Sequence, residues 1–436
     1  MQETRSPPRD QGRTVTRWRS EPADRDSPTA PPPDAPGGPV WLPDDGLITE
    51  EADRQVLVVG ETVAGLALTL LLDRAGYDPV LVRGSETATV SRLGYLWPPT
   101  LRLLDALGVD VSAPDCGVGV DRVDVRADGT LRSYVADTAA GRPALVRTTR
   151  LRRALEAELH TGQGRDRTVD SLSRHEGGLV VAFDDGVREW FDVAVDTSRV
   201  DGLPRSDGEQ ATPAVDGRDG ETTALRQYEV PVVTDTDRDA TTAPGHIHEG
   251  WQPGVLAESL PRPGDPGRLL RVTTACDAPA TPTETVREAL PDGATWVPAL
   301  SGCEPVSVRQ VSSLSADPAR SWWGRGRVAF CGGATCPVSP ASGVQLSAGI
   351  ADALALVSAL TRGPRAAADA VGAYAARRAR RVGTLARTAA TARADHAYPV
   401  PDRTQPALAT LGLLRTVSLA PFLGGSLASL QREGFE

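Results

Sequence analysis

The alternation of apolar and polar positions is most informative between residues 55 and 83. Residues 55–59 (QVLVV) form a short apolar run rich in β-branched side chains, which is typical of a buried parallel strand. Residues 66–75 are apolar at helical spacing, and Gly76 stands where a helix-capping glycine belongs. A second apolar run follows at 79–82. The pattern predicts a βαβ unit of the nucleotide-binding type.

This unit predicts a buried core in which two adjacent parallel strands are covered by one helix. The strand positions expected inside are Val56, Val58, Val80 and Val82. From the helix, Leu68 and Leu72 are expected to pack on those four side chains.

The turn between the first strand and the helix carries an incomplete glycine fingerprint. Of the pattern G-x-G-x-x-G, Gly60 and Gly65 are present, but Thr62 occupies the second glycine position, where the backbone approaches a pyrophosphate. Arg83 stands at the end of the second strand, where an acidic residue holds a ribose. Arg83 could meet a 2′-phosphate or be a solvated cation. The turn predicts the fold, with dinucleotide affinity weakened or lost.

Two polar segments of the chain differ in composition from this core. Residues 1–48 are rich in Pro and charge and poor in large apolar side chains, which predicts a disordered tail. Residues 201–222 are a polar stretch rich in Gly and Asp, read as a long surface loop.

Charge and hydropathy narrow the functional classes. The 47 cationic residues are all Arg, and 57 acidic residues give a net charge of −10, which argues against a nucleic-acid partner. The longest apolar stretch, about residues 64–72, is far shorter than the ~20 residues of a membrane span. No secretory signal is visible at the N-terminus, so we expect a cytoplasmic protein without a membrane span.

Metal-binding and nucleophilic patterns are sparse in the sequence. The five cysteines are too few and scattered for a disulfide scaffold, and no Cys/His set has zinc-site spacing. His246 and His248 would lie on one face of a strand; a metal pair is conceivable, but an exposed strand edge is the favoured interpretation because no further ligand is near in sequence. The cluster of Arg residues at 377–381 is interpreted as a solvated helix face rather than a phosphate site.

Several further segments, in matching order from about residue 53 to 430, resemble FAD-dependent monooxygenases of the aromatic-hydroxylase type. The segments that carry the resemblance are residues 94–108, 151–155 (LRRAL, like the R-x-x-L helix), 326–334 (GRVAFCGGA, like G-R-V-x-L-x-G-D-A), 340–343 (PASG), 349–354 (GIADAL) and the helix around 374–381. The resemblance implies an α/β fold in which an FAD-binding, Rossmann-like parallel sheet carries an inserted antiparallel-sheet substrate domain and C-terminal helices.

The resemblance also implies the domain boundaries. The FAD-binding-like domain is expected to be discontinuous, over residues 53–200 and 320–385. The substrate domain is expected at 205–318, and a C-terminal helical segment at 386–436.

Carried over position by position, the family's cofactor residues fall on altered side chains. The Asp that binds the flavin ribityl chain in the family is Gly333 here, next to Gly332, and the late loop keeps Pro340 and Gly343. The Arg of R-x-x-L falls on Thr148, or on Arg147 if the register slips by one. The motif A-D-G falls on residues 197–199 (TSR).

The resemblance implies flavin reduction by NAD(P)H and oxygen insertion into a small molecule. Two functions remain open. One is an FAD-dependent oxidoreductase or monooxygenase with a weakened flavin site and an apolar substrate. The other is a non-catalytic family member that serves as a binding or regulatory module, favoured by the joint change of all cofactor motifs. The sequence leaves catalytic residues unassigned.

Overall fold

The computed structural model describes fourteen stretches of the chain. They are residues 55–82, 93–127, 130–135, 142–160, 164–175, 177–198, 222–232, 243–252, 255–275, 281–305, 307–312, 323–335, 345–362 and 366–379. The predicted tail at 1–48, the C-terminal segment at 386–436, most of the polar loop at 201–222, and the site candidates Arg83, Pro340 and Gly343 lie outside these residues.

The first half of the described chain contains three helices and twelve strands. The helices are α1 (Val63–Arg74), α2 (Pro98–Ala106) and α3 (Thr148–Glu158). The strands are β1 (Gln55–Val59), β2 (Asp78–Val82), β3 (Leu93–Leu96), β4 (Gly117–Gly119), β5 (Arg122–Ala127), β6 (Thr130–Val135), β7 (Ala144–Arg147), β8 (Gly164–Arg165), β9 (Val169–His175), β10 (Gly178–Phe183), β11 (Arg188–Phe191) and β12 (Val193–Asp196).

The second half contains the remaining elements. The strands are β13 (Thr222–Val232), β14 (His246–Gln252), β15 (Val255–Arg262), β16 (Asp265–Ala275), β17 (Ser307–Ser312), β18 (Gly324–Arg325) and β19 (Val328–Phe330). The helices are α4 (Pro282–Ala289), α5 (Gly293–Leu300), α6 (Gln345–Arg362) and α7 over residues 367–379, with a 3-10 turn at Gly332–Ala334.

The predicted βαβ unit is confirmed, and it lies in a six-stranded sheet. The strand order is β18-β19-β12-β1-β2-β8, and every pairing is parallel except β18 with β19. The helix α1 ends as expected, since Gly76 has a φ of +81°. Chain segments near 55–82, 193–196 and 324–330 thus meet in one sheet, as the family resemblance implies.

The two faces of this sheet bury different side chains, which corrects one detail of the predicted core. Val56 and Val58 pack with Leu68 and Leu72 of α1. Val80 and Val82 are buried too, but on the opposite face, with Leu57 and Val59. Alternation along the strands explains the difference, because the β1–β2 register pairs Leu57 with Val80 and Val59 with Val82. The antiparallel sheet β11-β10-β9 covers that second face.

A mixed seven-stranded sheet forms the other large layer, in the order β17-β13-β16-β15-β14-β5-β6. Most of its strands come from the predicted substrate domain and pair antiparallel. The hairpin β5–β6 comes from residues 122–135 and joins through a parallel β5–β14 pairing. Helices α4 and α5 cover one face of this sheet. On its other face, side chains of β3 and β7, from the three-stranded sheet β3-β7-β4, pack against it.

Helices α6 and α7 are joined by a buried ion pair. Arg378 Nε lies 2.5 Å from Asp352 Oδ1, outside linear hydrogen-bond geometry, and both side chains are buried. The second oxygen of Asp352 accepts hydrogen bonds from Gly332 N and Thr335 Oγ1, each 3.1 Å long. Burial raises the pKa of Asp352. The positive charge of Arg378 and these hydrogen-bond donors lower it by less, so the pKa stays raised. The expectation of a solvated Arg cluster is therefore wrong for Arg378, because its guanidinium is buried and pairs with the buried carboxylate of Asp352 on α6.

Within the described part of the chain, none of the helices combines the length and apolar character that a lipid bilayer requires.

Candidate functional site

The glycine turn follows β1 at the carboxyl edge of the six-stranded sheet. Gly60 adopts a φ of +105°, and its N–H donates to Val82 O at 2.9 Å. A side chain here would meet Thr197 Oγ1 at 2.9 Å and Ser198 N at 3.1 Å. Gly60 is thus required by both backbone conformation and space, and it aims the chain into α1.

Gly65 permits the closest approach between α1 and β1. A Cβ on Gly65 would lie 2.1 Å from Gly60 O and 2.7 Å from Thr197 Oγ1. The third glycine of the fingerprint therefore has the packing role that the sequence pattern assigns to it.

Replacing Gly65 with alanine is expected to destabilise the fold, because the clash is with backbone that cannot rotate away. Overpacking of this kind typically costs about 1–3 kcal/mol of unfolding free energy. Urea denaturation of the Gly65→Ala variant measures the loss. Gly76→Ala is the matched control, since that glycine has open space around its Cβ position and tests only the cost of a positive φ. An equal loss in the two variants would contradict the packing role.

Thr62 is the N-cap of α1 and turns its side chain into the protein. Its Oγ1 accepts from Gly65 N at 3.0 Å and donates to Thr197 Oγ1 at 3.0 Å. Thr197 Oγ1 in turn lies within donating distance of Val59 O and Gly60 O. The sequence placed Thr197 in an altered family motif without assigning it a contact; the structure makes it the residue that fastens β12 to the turn.

The first turn of α1 offers backbone donors. The N–H groups of Val63 and Ala64 precede the first intrahelical bond, and no acceptor for them is present among the described residues. Such N–H groups and the helix dipole favour an anion. The neighbouring Glu61 carboxylate is paired with Arg152 Nη2 at 3.0 Å, which offsets its negative charge beside this helix end.

The Gly332–Gly333 pair that follows β19 approaches the same N-terminus of α1. Gly332 has a φ of +59°, and a Cβ there would lie 2.6 Å from Ala64 Cβ. Gly333 follows in the 3-10 turn and is not among the glycines with positive φ. The structure therefore brings together Gly60, Thr62, Gly65, Gly332 and Gly333.

The two candidates for the R-x-x-L arginine lie at the start of α3. Thr148 begins α3 and is buried beside Gly94. Arg147 is the N-cap of α3, and its Nη2 lies 4.0 Å from Asp265 Oδ2. Its buried Nε has no partner among the described residues.

A row of buried charges crosses the seven-stranded sheet on the face toward β3. Arg271 Nε donates to Glu229 at 2.9 Å, and its Nη1 lies 4.0 Å from Glu258 Oε2. Tyr95 of β3 donates to Glu258 Oε1 at 3.3 Å. Burial lowers the pKa of Arg271, but the two carboxylates outweigh burial and leave it raised. Strand register aligns this row, and no local sequence pattern indicates it.

The opposite face of the same sheet holds a second polar cluster of Asp124, His246 and His248. His246 Nε2 lies 2.9 Å from Asp124 Oδ2. Burial lowers the pKa of His246, against the opposing effect of Asp124. The expectation of an exposed strand edge is wrong, because β14 lies between β15 and β5 and the histidines are 8% and 5% exposed. Asp124, which is distant in sequence, meets both histidines through the β5–β14 pairing.

Comparison with known proteins finds a family match in the first half of the chain. Residues 53–178 match the family described as FAD binding domain. This match supports FAD as the cofactor of this domain and agrees with the FAD-binding part of the predicted resemblance. No curated protein is significantly similar to the chain in sequence.

Solved structures share the fold over most of their length. HpxO from Klebsiella pneumoniae, solved with FAD and uric acid, is 18% identical, with a TM-score of 0.61 over 87% of this chain and 97% of its own. PqsL from Pseudomonas aeruginosa, described as a probable FAD-dependent monooxygenase, is 20% identical, with a TM-score of 0.63 over 82% and 99%. The tetracycline destructase Tet(51) is 12% identical, with a TM-score of 0.55 over 84% and 98%.

Proposed function

We propose that this protein is an FAD-dependent oxidoreductase of the monooxygenase type that binds FAD weakly and acts on a small molecule. The observation that carries the proposal is the backbone cradle at the carboxyl edge of the six-stranded sheet. There the Gly60–Gly65 turn, the N-terminus of α1 and the Gly332 turn converge, with donors at Val63 and Ala64.

The residues present fit the diphosphate of FAD better than they fit its hydroxyl groups. The backbone donors suit an anion, and the Thr62 side chain is turned into the helix cap. Gly333, by contrast, offers no carboxylate to a ribityl chain, and Arg83 can only donate hydrogen bonds. Each lost charge-assisted bond is worth about 1.5–3 kcal/mol, so weak binding is the expected result.

In this proposal the protein binds and orients FAD and the substrate, while bound FAD supplies the redox chemistry with NAD(P)H as reductant. Gly60, Thr62 and Gly65 set the turn that presents the α1 donors, and Gly332 and Gly333 close the cradle from β19. Pro340 and Gly343 are proposed to complete it from the late loop.

The substrate in this proposal is an apolar small molecule, the substrate class inferred from the family resemblance. HpxO and PqsL have been solved with uric acid and with 2-aminobenzoylacetate, both small molecules.

The test is a flavin titration followed by a reduction assay. We expect FAD added to the purified chain to show saturable fluorescence quenching with a dissociation constant in the micromolar range. The FAD-loaded protein should then oxidise NAD(P)H above the rate of free FAD. Absence of both effects would support the alternative, a non-catalytic binding or regulatory module. The observation on the side of that alternative is the joint absence of the family's carboxylates at positions 83 and 333.

A further inference from the structure

Two paired strands bring three metal-ligating side chains to one face of the seven-stranded sheet. Strands β5 and β14 run parallel with Asp124 opposite His248, and His246 lies two residues earlier on the same face. His246 Nε2 is 2.9 Å and His248 Nδ1 is 3.9 Å from Asp124 Oδ2. One ligand atom from each residue lies within 4.8 Å of the other two.

These separations suit a transition-metal ion. With metal–ligand distances of about 2.0–2.2 Å, a tetrahedral site places neighbouring ligand atoms roughly 3.4 Å apart. The two measured separations, 2.9 and 3.9 Å, lie on either side of this value.

The surrounding residues orient the carboxylate. Arg122 Nε donates to the other oxygen, Asp124 Oδ1, at 2.8 Å, which leaves Oδ2 facing both imidazoles. Arg122 is itself held by Ser133 Oγ at 2.7 Å. Hydrogen bonds that fix a ligating group in this way are a regular feature of metal sites.

The charges nearby select against hard cations. Arg122 and Arg268 lie close to the cluster, and Arg268 donates to Ser259 and to His246 O. Two guanidinium groups disfavour an ion such as Mg²⁺ or Ca²⁺, which is held mainly by charge and prefers oxygen. Ions with strong imidazole affinity are less affected.

We propose that Asp124, His246 and His248 form a binding site for a first-row transition-metal ion of the Zn²⁺ class, with water at the remaining position. The site lies on the face opposite Glu258 and Arg271, so it is separate from the proposed flavin chemistry. Bound metal would fasten the β5–β6 hairpin to β14, two chain segments more than 100 residues apart that meet only in the folded sheet.

The experiment uses the full chain without an affinity tag, stripped of metal by a chelator and kept reduced. We expect calorimetry to give one Zn²⁺ per chain and thermal unfolding to shift upward with added Zn²⁺. Co²⁺ should give the intense visible absorption of a four-coordinate ion. Mg²⁺ should produce none of these effects. Failure of Zn²⁺ to bind at a large molar excess would overturn the proposal.

Variants assign the site to these residues. His248→Ala and Asp124→Asn should each weaken Zn²⁺ binding at least tenfold and remove the Co²⁺ absorption. His160→Ala is the matched control, because His160 Nδ1 lies 3.0 Å from Asp73 Oδ2 in an exposed pair. If His248→Ala or Asp124→Asn fails to fold, the Zn²⁺ affinity of His248→Gln and the Co²⁺ spectrum of the parent chain test the assignment instead. Binding that survives in folded site variants, or is lost in His160→Ala, would overturn the assignment.

Discussion

Replacing Arg378 with methionine is expected to lower the free energy of unfolding by about 3–5 kcal/mol, the cost of breaking a buried ion pair on one side. Asp352 would remain buried beside Gly332 without a cation. Because this carboxylate fastens α6 to the Gly332 turn, the damage should extend to the proposed cofactor cradle. Chemical denaturation at neutral pH measures the loss.

The pH dependence of this loss distinguishes an orphaned charge from lost packing. Burial already raises the pKa of Asp352, and removal of Arg378 raises it further in the folded variant. The folded variant then binds a proton more readily than its unfolded chain, so its deficit should shrink as pH falls toward the pKa of an ordinary Asp.

Two further variants control this experiment. Arg377→Met, one residue earlier on α7 and only partly buried, should change stability little. Asp352→Leu combined with Arg378→Met should recover part of the loss, because no buried charge remains. A deficit that is the same at all pH values, and in the double variant, would show that packing alone is lost.

The parts of the fold that could be predicted from the sequence are those fixed by local patterns. The run at 55–59 and the helical spacing before Gly76 specify β1 and α1 without reference to the rest of the chain. The order of the motifs, rather than any single residue, predicted a sheet built from separated chain segments. The structure places residues 193–196 beside β1 and residues 328–330 beside β12.

The features that could not be predicted depend on strand register between distant segments. Asp124 meets His248 only because β5 inserts parallel to β14, and Glu258 meets Arg271 only through the β15–β16 register. Likewise, the sequence does not distinguish Arg378 from the other Arg residues of the 377–381 run, and its burial follows from the packing of α7 against Asp352. The prediction that Val80 and Val82 pack against α1 was wrong for a related reason. Alternation within one strand does not say which face of the sheet α1 covers.

Restoring the two carboxylates that the family places around the cofactor is expected to raise FAD affinity at least about tenfold, since each regained bond contributes roughly 1.5–3 kcal/mol and about 1.4 kcal/mol is tenfold. The changes are Arg83→Glu, directly after β2, and Gly333→Asp, in the turn after β19. Gly333 is not among the glycines with positive φ, so an aspartate there carries no left-handed strain. Flavin fluorescence titration of the parent and the double variant is the measurement.

The matched control for this gain is Arg83→Gln with Gly333→Asn, which removes the cation and adds side chains of similar size without negative charge. Because FAD hydroxyls donate to a carboxylate more strongly than to an amide, the acidic pair should exceed the amide pair in affinity. Equal gains would mean that removing Arg83, not restoring acceptors, is what matters. Submicromolar FAD binding by the parent chain would contradict a weakened site, whereas no binding by any variant would transfer the defect to the side chains of Thr62 and Gln345.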